Sequence, residues 1–337
     1  MGDLAFGKSF NMLESATEHW AIQLLNESQD GAGLALPDWF SRLLLAMPGV
    51  RGSYLRFLQF CASQIEDRIL VQGKQEDPDI THFLIEDFKA KDAETQKRES
   101  KMLHVDSKLI IVAGSDTTAA ALTYLFYHIA VEPGLISRLR EEIEPLLNSD
   151  GAIEHQNIQG AALLNGCINE SLRLHPPVPS GVYRKAPQEG IYIGENWIPG
   201  NTIIQVHLYA MSRGKFVCSS CQIFATLYKI STDANRLMFA HLDEDNFTQA
   251  EQFIPERFFS RPELIKTRDA FAPFLTGPYG CIGKNLAYME IRTLTAKLIT
   301  KFDVKIAPGE DGTNVMNSSD HFTIGLKPLY MAFTSRK

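Results

Sequence analysis

The stretch FLTGPYGCIGKN, Phe274–Asn285, sets one cysteine among three glycines and a proline, directly ahead of a helical pattern. Gly277, Gly280 and Gly283 open turns that other residues resist. A buried structural cysteine needs no such surroundings; a sulfur that must face something large does. The glycines predict a backbone that aims its N–H groups at the Cys281 sulfur. The helix that follows brings a positive dipole end close to it. Both effects favour thiolate, the form that binds metal. The plainer reading, a buried cysteine beside a turn, stays open on these residues alone.

The rest of the chain narrows the setting. Its 337 residues allow one large domain or two, at about 100–200 residues each. A net charge of −7 argues against nucleic acid as a partner, since phosphate binding needs a basic surface. No apolar run approaches the roughly 18 residues of a membrane span, and no secretory signal opens the chain. The cysteines Cys61, Cys167, Cys218, Cys221 and Cys281 are scattered, which suits a reducing compartment better than a disulfide framework.

Apolar spacing predicts helices over 12–26, 54–71, 80–88, 103–130, 136–147, 163–174 and 286–302. The 103–130 segment is apolar almost all round, as a core helix is. Lys89–Lys101 reads as a charged lead-in, and Pro133-Gly134 as the stop. His175-Pro176-Pro177 ends the 163–174 helix, because a residue before proline avoids helical geometry. Gly190–Tyr209 alternates as a small β region with a turn at Pro199-Gly200-Asn201, and Phe322–Phe333 reads as a terminal hairpin. The fold class is therefore mainly α with a small β region.

Three further patterns accompany Cys281. Glu170 and Arg173 lie at i, i+3 on an apolar helix, with Arg257, in Pro255-Glu256-Arg257-Phe258, able to complete the pair. An exposed ion pair worth under ~1 kcal/mol is the plainer account. Inside the apolar helix runs Ala113-Gly114-Ser115-Asp116-Thr117-Thr118. A glycine there costs about 0.8–1.0 kcal/mol against alanine, and a lone buried acid is costly. This predicts either local capping by Asp116 or a local opening of the helix, with an acid and a hydroxyl beside a reaction site. Finally, Cys218-Ser219-Ser220-Cys221 forms a C-x-x-C. Zinc would need further ligands, of which only His241 is near in sequence, so chance is the better account.

Taken in order, the A-G-x-D-T-T helix, the E-x-x-R helix, the P-E-R-F segment and the F-x-x-G-x-x-x-C-x-G loop resemble the cytochrome P-450 superfamily of haem-thiolate monooxygenases. The resemblance runs over the whole chain, and His175–Gly181 and Pro278–Gly283 look most like fungal biosynthetic members. It implies haem b with Cys281 as axial thiolate on the iron. It implies that Asp116 and Thr117 relay protons to dioxygen, with Gly114 leaving room. Phe274, Gly277, Tyr279, Gly280 and Gly283 would shape the cofactor loop, and Arg184 would contact a haem propionate. Glu170, Arg173 and Arg257 would form a structural triad bracing the core. Ile110, Ala113 and Val178 are candidate substrate-wall residues.

The implied function is oxidation of a small apolar metabolite with O2 and electrons from an NADPH-dependent flavoprotein reductase, on the endoplasmic reticulum. Two other readings stand beside it: an inactive truncated fragment, and a haem-thiolate isomerase or dehydratase. The sequence departs from the family pattern in three places. Tyr279 stands where relatives carry arginine or histidine. The chain begins where relatives are already well into their fold, so the membrane anchor and early helices are expected to be missing, which would leave it cytoplasmic. Residues 214–242 interrupt the family spacing. Gly214-Lys215 can be encoded with a splice-donor-like GTAAG, Asp233-Ala234-Asn235 with a branch-like GCTAAC, and His241-Leu242-Asp243 with a terminal TTAG, which reads as a translated intron inside one partial monooxygenase domain over 1–337. A surface loop is the alternative, since doubling loop length costs only about 0.6 kcal/mol.

Overall fold

The computed structural model describes residues 2–15, 17, 19–30, 52–71, 78–213 and 246–336. The 214–242 block, with its C-x-x-C and His241, lies outside them up to residue 245. The chain divides into two units, Met1–Thr117 and Thr118–Lys337.

The first unit is helical: α1 (Gly2–Phe6), α2 (Met12–Ser15), α3 (Trp20–Asp30), α4 (Gly52–Val71), α5 (Ile80–Ala90) and the first part of α6 (Ala93–Val131). Phe57, Cys61 and Ile65, four residues apart on α4, bury one face against Ala21, Leu24, Leu25, Leu103 and Ile111. Ser107 Oγ donates to Cys61 O at 2.7 Å, and the buried pair Arg68–Asp79 closes at 2.6 Å. Asp79 also caps α5 by accepting from His82 N.

Two expectations change here. The single helix over 12–26 is split, because Ser15 Oγ accepts from both the N–H and the hydroxyl of Thr17, a local bond that competes with helix propagation. The charged lead-in is itself helix: Asp92 Oδ1 accepts from Glu94 N and Thr95 N and starts α6 at Ala93. Among the described residues α6 alone is long and apolar enough to cross a membrane by length and composition. The run-by-run reading missed this because Gly114–Thr118 interrupts it. A core helix passes the same test, and Leu125 and Ile129 near its end are fully buried.

The second unit holds the rest of α6, then α7 (Leu135–Ile143), α8 (His155–Ile158), α9 (Ala162–Leu174), α10 (Leu208–Arg213), α11 (Lys284–Lys301) and α12 (Thr313–Met316). Gly134, at φ 72°, turns the chain after α6. Leu125, Ile129, Leu139, Ile143, Ile158, Leu164, Ile168, Ile291 and Ile299 form one core. Among the described residues there are four antiparallel two-stranded sheets. Strand β2 (Ile191–Ile193) pairs with β3 (Asn196–Ile198) within the expected β region, while β4 (Ile203–Gln205) pairs with β1 (Tyr183–Lys185), which lies ahead of that region's expected start at Gly190. Strand β5 (Phe302–Ile306) pairs with β8 (Met331–Ser335), while β6 (Ser319–His321) and β7 (Thr323–Gly325) make a tight hairpin. The expected terminal hairpin is thus corrected. Alternation marks strands but not partners, and the last strand pairs with residues directly after α11.

Candidate functional site

The Cys281 loop is shaped by backbone conformation first. Leu275 and Gly277 both take positive φ, at 60° and 75°, so the chain is left-handed at two of three successive residues. Glycine tolerates this at 277; a side chain would be strained. Cys281 N then donates across the loop to Phe274 O at 2.8 Å, and Gly280 N to Gly277 O at 3.0 Å. Helix α11 starts three residues beyond the cysteine. The expectation that the loop amides aim at the sulfur is corrected at Gly280, Cys281 and Lys284, whose N–H groups satisfy carbonyls of the loop. The sulfur lies beside Gly283: a Cβ there would stand 3.8 Å from Sγ.

Cys281 is exposed, whereas Cys61 and Cys167 are buried. Burial pushes the Cys61 thiol up to about 12 and raises the Cys167 thiol as well, so both stay protonated and inert. Iodoacetamide treatment of the folded chain should therefore alkylate Cys281 and spare Cys61 and Cys167, read by peptide mass spectrometry. Equal labelling of Cys167 and Cys281 would contradict the assignment.

Two predicted cofactor contacts meet beside this loop. Arg184, half-buried on β1, donates from Nη2 to Tyr279 O at 3.3 Å, and its guanidinium lies 5.5 Å from the Tyr279 ring centre. A cationic fork held against Tyr279, two residues before Cys281, suits a carboxylate such as a propionate. The described residues contain no group of three or more His, Cys, Asp or Glu able to hold a bare metal ion. The exposed Cys281 sulfur is a donor that a haem iron would take from the protein. These residues therefore fit a thiolate-ligated haem.

The E-x-x-R triad assembles fully within the second unit. Glu170 Oε2 accepts from Arg173 Nε at 2.8 Å, and Oε1 accepts from Arg173 Nη2 at 2.8 Å, Arg257 Nε at 2.9 Å and Ile254 N at 2.9 Å. All three side chains have 0% exposure, apart from 1% over Arg173 as a residue. Two guanidiniums outnumber one carboxylate. The surplus charge is met by carbonyls: Arg173 donates to Ser212 O and Gln252 O, and Arg257 to Thr248 O, Gln249 O and Leu264 O. The surface-pair account is excluded by burial. Gly166 lets α9 approach this turn, since a Cβ there would stand 2.7 Å from Pro255 O. The carbonyl acceptors were invisible in the sequence, because any residue type supplies one.

On α6 the Gly114–Thr118 stretch is half-buried and helical throughout, so the expected opening is absent. Thr117 Oγ1 donates to Ala113 O at 2.7 Å, the bond that lets a hydroxyl sit in an apolar helix. Asp116 is half-buried. Sequence reasoning also missed Glu142, whose carboxylate accepts from Leu163 N and Leu164 N and caps α9, and the Tyr288–Asn169 bond of 2.6 Å between α11 and α9.

The comparisons agree with this geometry. The family model described as Cytochrome P450 matches residues 1–217 and 236–333. Cytochrome P450 monooxygenase lcsK of Purpureocillium lilacinum is 40% identical over 337 residues, covering 100% of this chain and 56% of that protein. Tryprostatin B 6-hydroxylase of Aspergillus fumigatus is 38% identical over 339 residues, covering 100% and 55%. The chain spans about half the length of these curated relatives. The crystal structure of a cytochrome P450 (CYP102L1) superposes with TM-score 0.73 at 22% identity, over 100% of this chain and 69% of the other. That of the cytochrome P450DA heme domain gives TM-score 0.73 at 16% identity, over 100% and 65%. The fold, the ordered motifs and the family match together place this chain in the cytochrome P450 family.

Proposed function

We propose that this chain is the haem-binding portion of a monooxygenase that oxidises a small apolar metabolite; its fungal relatives are named monooxygenases, one of them a tryprostatin B 6-hydroxylase. The observation that carries the reading is the exposed Cys281 on a glycine loop beside Arg184, in a chain of a family whose cofactor is thiolate-ligated haem. Bound haem iron supplies dioxygen activation. Cys281 would hold the iron through its sulfur. Gly277 takes the positive φ of the loop's turn, Gly280 and Gly283 would leave the cofactor side of the loop without side chains, and Phe274 O accepts the Cys281 amide. Arg184 neutralises a propionate, with Tyr279 offering a phenol beside it. Asp116 holds and passes a proton at its carboxyl and Thr117 at its hydroxyl, while Gly114 leaves space. Glu170, Arg173 and Arg257 stiffen the supporting core.

Electrons come from an NADPH-dependent flavoprotein reductase, and the membrane context is the endoplasmic reticulum. The test is turnover by the haem-loaded protein of tryprostatin B and a panel of small apolar compounds, with reductase and with NADPH present or omitted. Oxygenated product that requires NADPH supports the proposal. Conversion without NADPH marks an isomerase or dehydratase, and failure to take up haem marks an inactive fragment; either overturns it.

Residues 214–242 are proposed to be a translated intron within one partial monooxygenase domain. The family match pauses between 217 and 236. The flanks also sit together: Asn246 Nδ2 donates to Met211 O at 3.2 Å, and Arg173 bridges Ser212 O and Gln252 O. A short link would join them. Transcripts lacking the block are expected; its presence in every mature message contradicts the proposal.

A further inference from the structure

Helices α9 and α11 carry the two most chemically loaded segments of the second unit, Glu170/Arg173 and the turn after Cys281. They are joined by polar bonds that neither motif explains. Tyr288 Oη donates to Asn169 Oδ1 at 2.6 Å, and Arg292 Nε donates to Asn165 Oδ1 at 2.7 Å. The spacing is i, i+4 on both helices, so the two bonds stack as successive rungs. Asn165 is oriented by donating from Nδ2 to Ala161 O at 2.7 Å and Gln159 O at 2.9 Å, which leaves its oxygen for Arg292. The Arg292 guanidinium lies 4.7 Å from the Tyr288 ring centre, within cation–π range. Burial raises the Tyr288 phenol, more than Arg292 lowers it, so the phenol keeps its proton and donates.

Tyr288 also reaches the cysteine loop. Its ring packs on that of Phe274, centres 5.1 Å apart. Phe274 O accepts the Cys281 amide at 2.8 Å. A continuous path therefore runs from Asn169, the neighbour of Glu170, through Tyr288 and Phe274 to the Cys281 backbone. We infer that Tyr288, fixed by Asn169 and stacked under Arg292, is a positioning residue that sets where the Cys281 sulfur is presented. This rests on the haem-thiolate reading for its meaning and on the rungs for its mechanism.

Hydrogen exchange on the haem-free chain tests the mechanism. Tyr288→Phe removes the donor and keeps the ring. The Cys281 amide is expected to exchange about tenfold faster, the scale of one lost buried hydrogen bond. Amides of the β5–β8 ladder should stay unchanged. Asn169→Ala should give the same rise, and the double variant no further one, because both remove a single bond. In haem-loaded protein the thiolate-ligated fraction of the reduced, carbon-monoxide-bound spectrum should fall in Tyr288→Phe. Unchanged Cys281 exchange, additive effects in the double variant, or a uniform rise across the unit each overturn the inference. Should wild type show no thiolate-ligated band while Cys281 exchange responds as expected, the haem reading fails and the positioning of the loop stands.

Discussion

Glu170→Ala should lose about 3–5 kcal/mol of stability, enough to consume much of the roughly 5–15 kcal/mol that holds a typical domain folded. Wild-type Glu170 faces two guanidiniums with no solvent exposure on any of the three side chains. Its removal leaves two like charges in a dry site, with the Nε of each arginine and the Ile254 amide unpaired. Water cannot screen them and salt reaches them poorly. Glu170→Gln should be less severe, since the amide oxygen still accepts, but it keeps the unbalanced charge. Arg257→Lys should also cost, because an ammonium cannot reproduce the guanidinium fork toward Glu170, Thr248 and Gln249. Urea denaturation followed by circular dichroism measures all three. A change below about 1 kcal/mol for Glu170→Ala, the value of an exposed pair, would contradict the buried-triad account.

Cys281→Ser should abolish the thiolate-ligated carbon-monoxide spectrum completely while leaving the fold intact. The serine replaces an exposed side chain and keeps the backbone N–H that donates to Phe274 O. A serine hydroxyl stays protonated near neutral pH, so a haem iron held at this position would lose an anionic sulfur donor. Cys61→Ser or Cys167→Ser should leave the spectrum in place, because both sulfurs are buried and protonated. Persistence of the band in Cys281→Ser would move the ligand elsewhere.

Particular residues show what was legible beforehand. Helices α4, α5 and α9 stood out because their apolar spacing follows one face and their stops are chemically marked, as at His175-Pro176. Glu170 and Arg173 announced themselves as neighbours, but only packing revealed a dry triad rather than a surface pair. The Thr17–Ser15 bonds that split the first predicted helix compete locally and leave no periodic trace. Strand β8 was visible as a strand, yet its partner β5 hid behind the end of α11. The path Asn169–Tyr288–Phe274 was out of reach, since it joins residues far apart in sequence through side chains that any helix could carry. At the Cys281 loop, glycine placement foretold the turns; it did not foretell that the amides would close on carbonyls.

Iron X-ray absorption of the haem-loaded chain is the most direct trial of the central claim. A single sulfur neighbour in the first coordination shell, lost in Cys281→Ser, is the predicted result. A shell of nitrogen and oxygen alone in the wild-type protein would contradict it.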